Sequence, residues 1–204
     1  NNKKNQQAAA ETTAQSSQTA TVAKQTALPA DTNALFAAAL SASDSVASPI
    51  VLKNDKLEVT ISPKGGQVSR VVLKDFKSYA DYKAGKDQAL VLYSSDDASF
   101  NLNFDTKSES ISTSDLYFTP EKASSRAVSM VVNGKNGEKI AIDYSLTDDY
   151  MLNMSVRTAG LQQQFSRNTK TFGVKWQDNV RQYEKGYYFE NMYSTLTYKD
   201  SDGD

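Results

Sequence analysis

The stretch NDKLEVTISPKGGQVSRVVL, Asn54 to Leu73, decides the fold class. Leu57, Val59 and Ile61 alternate with Glu58, Thr60 and Ser62. A period of two places the apolar set on one face of a strand. Pro63-Lys64-Gly65-Gly66 then breaks the pattern, and glycine accepts the positive φ that a tight reversal needs. Val68 to Leu73 follows as a second, more apolar strand. Gly65-Gly66 is not a phosphate loop, because neither Gly-Lys-Ser/Thr nor a helix follows it.

The same texture runs on from Ser48. Phe100, Leu102 and Phe104 alternate with Asn101 and Asn103. Val128, Met130 and Val132 lead into Asn133-Gly134 and Asn136-Gly137, dipeptides that favour the left-handed conformations of hairpin turns. Ile140, Ile142, Tyr144 and Leu146 form the next face, then Leu152, Met154 and Val156, then Phe172, Val174 and Trp176. Tyr187 to Tyr198 is rich in aromatic and β-forming residues. Asp96-Asp97 and Asp148-Asp149 read as turns. No long helical period and no internal repeat occurs after Ser48. Strands at this spacing argue for an all-β chain, an antiparallel sandwich or barrel.

Composition narrows the chemistry. The 204 residues include no Cys and no His and carry a net charge of −1. That balance lacks the basic stripe of a nucleic-acid binder. Without Cys there are no disulfides, thiolate nucleophiles or cysteine metal sites. Without His, the commonest general base and transition-metal ligand are missing, so Ser-His-Asp machinery cannot be built. No run of about 18 apolar residues spans a membrane. Asn1 to Gln7 is polar, so no signal peptide is read there. The expectation is a piece of a longer protein, beginning just after a hydrophobic segment and ending in a loop.

Residues 1–48 are low-complexity Ala, Thr, Gln, Ser and Asn. Such a segment buries too little apolar surface to offset its ordering entropy, so it reads as a flexible linker. Asp31 to Leu40 stands apart, with Leu35, Phe36 and Leu40 among alanines and Asp31 or Thr32 as a cap. A helix so short is marginal in water and forms only transiently or docked on a membrane or partner. An Ala-rich linker is the simpler reading.

Trp176, Tyr183, Tyr187, Tyr188 and Tyr193 are the candidate groove or partner surface, since aromatic faces stack on sugars and extended peptides. Packing between strands is the plainer account of the same residues. Arg181, Glu184 and Lys185 nearby either fix a polar ligand or form a solvated turn. Asp200, Asp202 and Asp204 have the spacing that starts a calcium loop but lack its Gly and distal Glu, so an acidic loop is the better reading. Asn153-Met154-Ser155 fits a glycosylation sequon, discounted because its Asn lies mid-strand. No catalytic residue, metal or cofactor is expected.

Several of these pieces, taken in order, resemble one family. They are the opening hairpin, Leu73-Lys74-Asp75-Phe76-Lys77-Ser78-Tyr79, Leu90-Val91-Leu92-Tyr93, Phe100 to Phe104, and Thr113 to Pro120. The run from Trp176 through Glu184-Lys185-Gly186 to Tyr193-Ser194-Thr195-Leu196-Thr197-Tyr198-Lys199 completes the set. Together they are similar to the large periplasmic domain of YidC-type membrane protein insertases in their Bacteroides-like form. The resemblance covers most of residues 50–199.

It implies a galactose-mutarotase-like β-sandwich (a supersandwich), incomplete here, lacking later strands and any helix leading to the membrane. Open edges and exposed apolar faces are then expected. Residues 1–48 would be the linker from a first transmembrane helix, and residues 49–204 the N-terminal part of the sandwich. The whole protein would be multi-pass, with this domain on the periplasmic side of the bacterial inner membrane. It would insert and help fold membrane proteins, alone or with the Sec translocon, with nascent membrane proteins as partners. This part would bind, position or space and would not catalyse.

Two other readings compete. Mutarotase-like enzymes use a His with a Glu, and this chain has no His, yet a carbohydrate-binding or carbohydrate-modifying module remains the alternative. A surface adhesion module on a polar stalk is the third.

Overall fold

The structure, a computed structural model, describes residues 34–43, 45, 47–165 and 171–195. Three antiparallel sheets surround one hydrophobic core. The first holds β1 (Ile50–Lys53), β2 (Leu57–Ile61), β3 (Val68–Leu73) and β4 (Leu90–Ser94) in chain order. The second contains β5 (Ala98–Asp105), β6 (Ser110–Ser112) and β11 (Gly173–Asp178), in the order β11-β5-β6. In the third, β7 (Thr119–Glu121), β8 (Ala127–Asn133), β9 (Lys139–Leu146) and β10 (Leu152–Ala159) run β10-β9-β8-β7. The all-β, antiparallel sandwich expected from the alternation is therefore what forms. Short helices α1 (Ala37–Leu40), α2 (Tyr79–Lys83) and α3 (Tyr187–Tyr193) lie outside the sheets.

The alternation in β2 is realised residue by residue. Leu57, Val59 and Ile61 are buried, and Leu52 of β1 sits opposite Val59. Facing this sheet are Val128, Met130 and Val132 of β8 and Ile140, Ile142 and Tyr144 of β9, all in the same core. Leu102 and Phe104 of β5, with Leu116 and Phe118, close it from the side.

The Pro63–Gly66 reversal forms as expected, with φ of 79° at Gly65 and 58° at Gly66. It is nevertheless a buried turn; Pro63, Gly65 and Gly66 are all shielded from solvent. A buried turn must have its polar backbone satisfied by the protein. Leu116 O accepts the Gly65 N–H at 2.8 Å, Pro63 O accepts the Phe118 N–H at 2.8 Å, and Gly66 O accepts the Tyr144 hydroxyl at 2.9 Å. Burial drives the Tyr144 phenol well above its ordinary range, so it stays a neutral donor.

Of the two Asn-Gly pairs in the β8–β9 turn, only Gly137 takes a positive φ, 91°. Gly134 serves space instead, since a Cβ there would come 2.6 Å from Glu138 Oε2 and 3.0 Å from the Leu35 carbonyl oxygen. Asn136 donates its backbone N–H to Glu138 at 2.8 Å, and this bond holds the Glu138 carboxyl below its ordinary value.

Two segments depart from the sequence reading. Leu35, Phe36 and Ala39, inside the stretch read as linker, are buried in the core, Phe36 to 2% exposure. Residues 34–40 are docked, and burial of Leu35, Phe36 and Ala39 offsets the cost of ordering them. Second, the aromatic run at Tyr187–Tyr193 forms a helix. Strand preference depends on cross-strand neighbours. Here Glu190 instead reaches back to accept the N–H groups of Tyr183 (2.9 Å) and Glu184 (3.2 Å), tying the helix to the loop that precedes its Gly186 N-cap. Asp96-Asp97 and Asp148-Asp149 form the expected turns, and Asn153 lies within β10. Asp31, Thr32, Lys199, Asp200, Asp202 and Asp204 fall outside the described residues.

An ion pair across β9 and β10 makes stability sensitive to acid. Arg157 Nη2 donates to Asp143 Oδ1 at 2.8 Å, and this guanidinium holds the Asp143 carboxyl at about 2, below its ordinary 3.8. The folded-state value is depressed, so the contribution is complete above the unfolded value and is lost as pH falls through about 2. After allowance for solvent screening it amounts to about 1 kcal/mol. Asp143→Asn should flatten the melting temperature between about pH 4 and pH 2, measured by circular dichroism. An unchanged slope would assign the acid limb to other carboxylates.

Candidate binding groove

An apolar cavity of about 550 Å³ opens where the three sheets meet. Val68 and Val71 of β3 and Phe100 of β5 supply apolar walls, joined by Tyr93 of β4 and Tyr144 of β9. Leu92, Met154, Trp176 and Val180, all with exposed side chains, form the rim. Trp176 is 69% exposed because β11 hydrogen-bonds to β5 on one side, with Trp176 opposite Phe100, and to no other strand among the described residues. Val174 and Val180 are exposed beside it. Tyr183 completes the lining, its hydroxyl 2.8 Å from Val91 O and 2.9 Å from Leu92 O, able to donate to either.

The electrostatics suit binding and not proton chemistry. Burial raises the Tyr93 phenol, with Asp178 adding to the effect, and burial likewise raises Tyr183. Both therefore remain neutral at physiological pH. Asp178 is the one ionisable carboxylate among the lining residues. No nucleophile-base pair converges there, and among the described residues no cluster of acidic side chains could hold a metal ion.

Of the five candidate residues, the structure brings Trp176 and Tyr183 into this cavity. Tyr187, Tyr188 and Tyr193 lie apart on α3, between 67% and 75% exposed. Tyr188 packs edge-on against Phe189 at 5.6 Å, and Tyr193 borders a separate cleft with Phe189 and Glu190. Of the polar trio, Glu184 and Lys185 both border the α3 cleft, Lys185 also lying 5.9 Å from the Tyr79 ring centre, while Arg181 is engaged by Asp97. Sequence reasoning missed Leu92, Met154 and Val180 as rim residues. Their alternation placed them on strands or loops, and nothing in it distinguished an open face from a packed one.

The cavity, the free edge of β11 and the buried first hairpin belong to a chain whose residues 49–204 match the family model of the YidC periplasmic domain. The chain belongs to the YidC periplasmic domain family. Its relatives include the membrane protein insertase YidC of Phocaeicola vulgatus, 37% identical over 150 residues, covering 72% of this chain and 23% of the relative. The YidC of Parabacteroides distasonis is 36% identical over 151 residues, again 72% and 23%. That of Bacteroides fragilis is 30% identical over 172 residues, 83% of this chain and 26% of the relative. The chain thus spans about a quarter of the length of the curated YidC proteins it matches. No solved structure matches it. Among the described residues of this YidC-family chain, no helix is long and apolar enough to cross a membrane.

Proposed function

We propose that this chain is the periplasmic part of an inner-membrane insertase that helps insert and fold membrane proteins, alone or with the Sec translocon. The match of residues 49–204 to the YidC periplasmic domain family carries that reading. Its clients are nascent membrane proteins, and its sheets form the N-terminal portion of a galactose-mutarotase-like sandwich. Residues 49–204 form this domain, and residues 1–48 lead to it from a membrane helix. This part is non-enzymatic: it binds, positions or spaces, while insertion itself takes place elsewhere in the parent protein.

Within that role the cavity holds an extended apolar stretch of a client. Its walls are aliphatic and aromatic, and the edge of β11 that no described strand pairs offers main-chain groups for strand addition. Trp176 is the anchor, since exposed aromatics beside a pocket contribute disproportionately to binding. Trp176→Ala should weaken binding of an extended apolar peptide by roughly 30-fold, read by fluorescence anisotropy. Chemical shifts unmoved at millimolar peptide would reject the groove and leave spacing as the role. Saturable binding of simple hexoses, lost in Trp176→Ala, would favour the carbohydrate-binding module instead.

A further inference from the structure

Residues 34–40 belong to none of the sheets, yet their side chains lie in the common core. Three bonds hold their backbone to three separate parts of the fold. Leu35 donates its N–H to Glu109 Oε1 at 2.8 Å, beside the β5–β6 turn. The Leu35 carbonyl accepts the Lys135 N–H at 3.1 Å, in the β8–β9 turn. The Ala39 carbonyl accepts the Tyr117 N–H at 3.1 Å. None is a ladder bond, and residues 34–40 pair with no strand of the three sheets. Gly134 lies against the Leu35 carbonyl, which a Cβ would approach to 3.0 Å, and more closely still against Glu138 of its own turn, at 2.6 Å from Oε2. Phe36 fills the pocket, and small residues follow it, with Ala39 buried three positions on.

We infer that residues 34–40 are a detachable latch, an apolar segment held in cis in a groove between the β5–β6 and β8–β9 turns that also accepts a free peptide of the same chemistry. Its ligand class is a short segment with adjacent Leu-Phe followed by small residues. None of the residues that bond to the segment, Glu109, Tyr117 and Lys135, lines the cavity at Trp176.

The test uses the full 204-residue chain with a protease site inserted between Ala47 and Ser48. After cleavage the N-terminal fragment should co-elute with the body on size exclusion. A peptide spanning residues 31–43 should displace it, and the same peptide carrying Phe36→Ala should compete about 100-fold more weakly, as expected for losing a buried phenylalanine. Glu109→Ala, which removes the acceptor of the Leu35 N–H from the other side of the contact, should speed release of an unaltered fragment. Immediate loss of the wild-type fragment from a body that keeps its β circular dichroism would overturn the proposal. So would unfolding of the body on release, because the segment would then be a strut of the core. Equal competition by the Phe36→Ala peptide would also reject it. None of these outcomes depends on peptide binding at Trp176.

Discussion

Asn54→Asp is expected to remove about 3 kcal/mol of folding stability, because two half-buried carbonyls lose their donor at once and face a carboxylate oxygen instead. Asn54 is 5% exposed and uses its whole carboxamide. Nδ2 donates to Thr147 O and Asp149 O, both at 2.7 Å. Oδ1 accepts the Lys56 N–H at 2.8 Å and the Leu57 N–H at 2.6 Å, closing the β1–β2 turn. An aspartate keeps both acceptor contacts and turns its second oxygen against the two carbonyls. Each buried acceptor left without a donor costs about 1–3 kcal/mol, and repulsion adds to that. The melting temperature should fall by roughly 10 °C for a chain of this size. Chemical denaturation measures the free energy directly. A loss below about 1 kcal/mol would mean that water replaces the amide and that the β9–β10 loop is not sealed.

Gly66→Val should cost about 4 kcal/mol, through two independent effects. At a φ of 58° the backbone is left-handed, a conformation that costs a β-branched residue about 1–2 kcal/mol or more. The added Cβ also lands 2.9 Å from Phe118 Cγ and 3.0 Å from its Cδ1. Phe118 is fully buried and has nowhere to retreat. Overpacking of this kind typically costs about 1–3 kcal/mol. Combining Gly66→Ala with Phe118→Leu separates the effects. The steric part is relieved in the pair and appears as a coupling energy, while the backbone part persists. Strict additivity of the two substitutions would refute the contact.

How much of this was legible in the sequence varies by element. Leu57, Val59 and Ile61 announced both the strand and its buried face, because period two has one interpretation when half the face is apolar. Pro63–Gly66 announced a reversal but not its burial, which depends on Phe118 and Tyr144 arriving from far along the chain. Tyr187–Tyr193 looked like strand by composition, and local bonds from Glu190 to the preceding loop prevailed where none of the described strands offers a partner. Leu35 and Phe36 are two apolar residues in a polar, alanine-rich stretch, and only a tertiary pocket distinguishes anchor from linker. For the groove, aromatic residue type correctly drew attention to Trp176 and Tyr183 but equally to Tyr187, Tyr188 and Tyr193. Spatial convergence of β3, β4, β5, β9 and β10 on one cavity left no local trace.

The buried turn at Gly66 also sets an order of events during folding. Its hairpin is local, and loops of that size close in well under a millisecond, within about 1–10 μs. Yet its carbonyl finds its donor on Tyr144, 78 residues later. While the chain emerges, the first hairpin therefore has an unfinished turn until the ninth strand is available. Long-range closure of this type slows folding and prolongs exposure of unpaired edges. The earliest part of the domain to be made is among the last to become native.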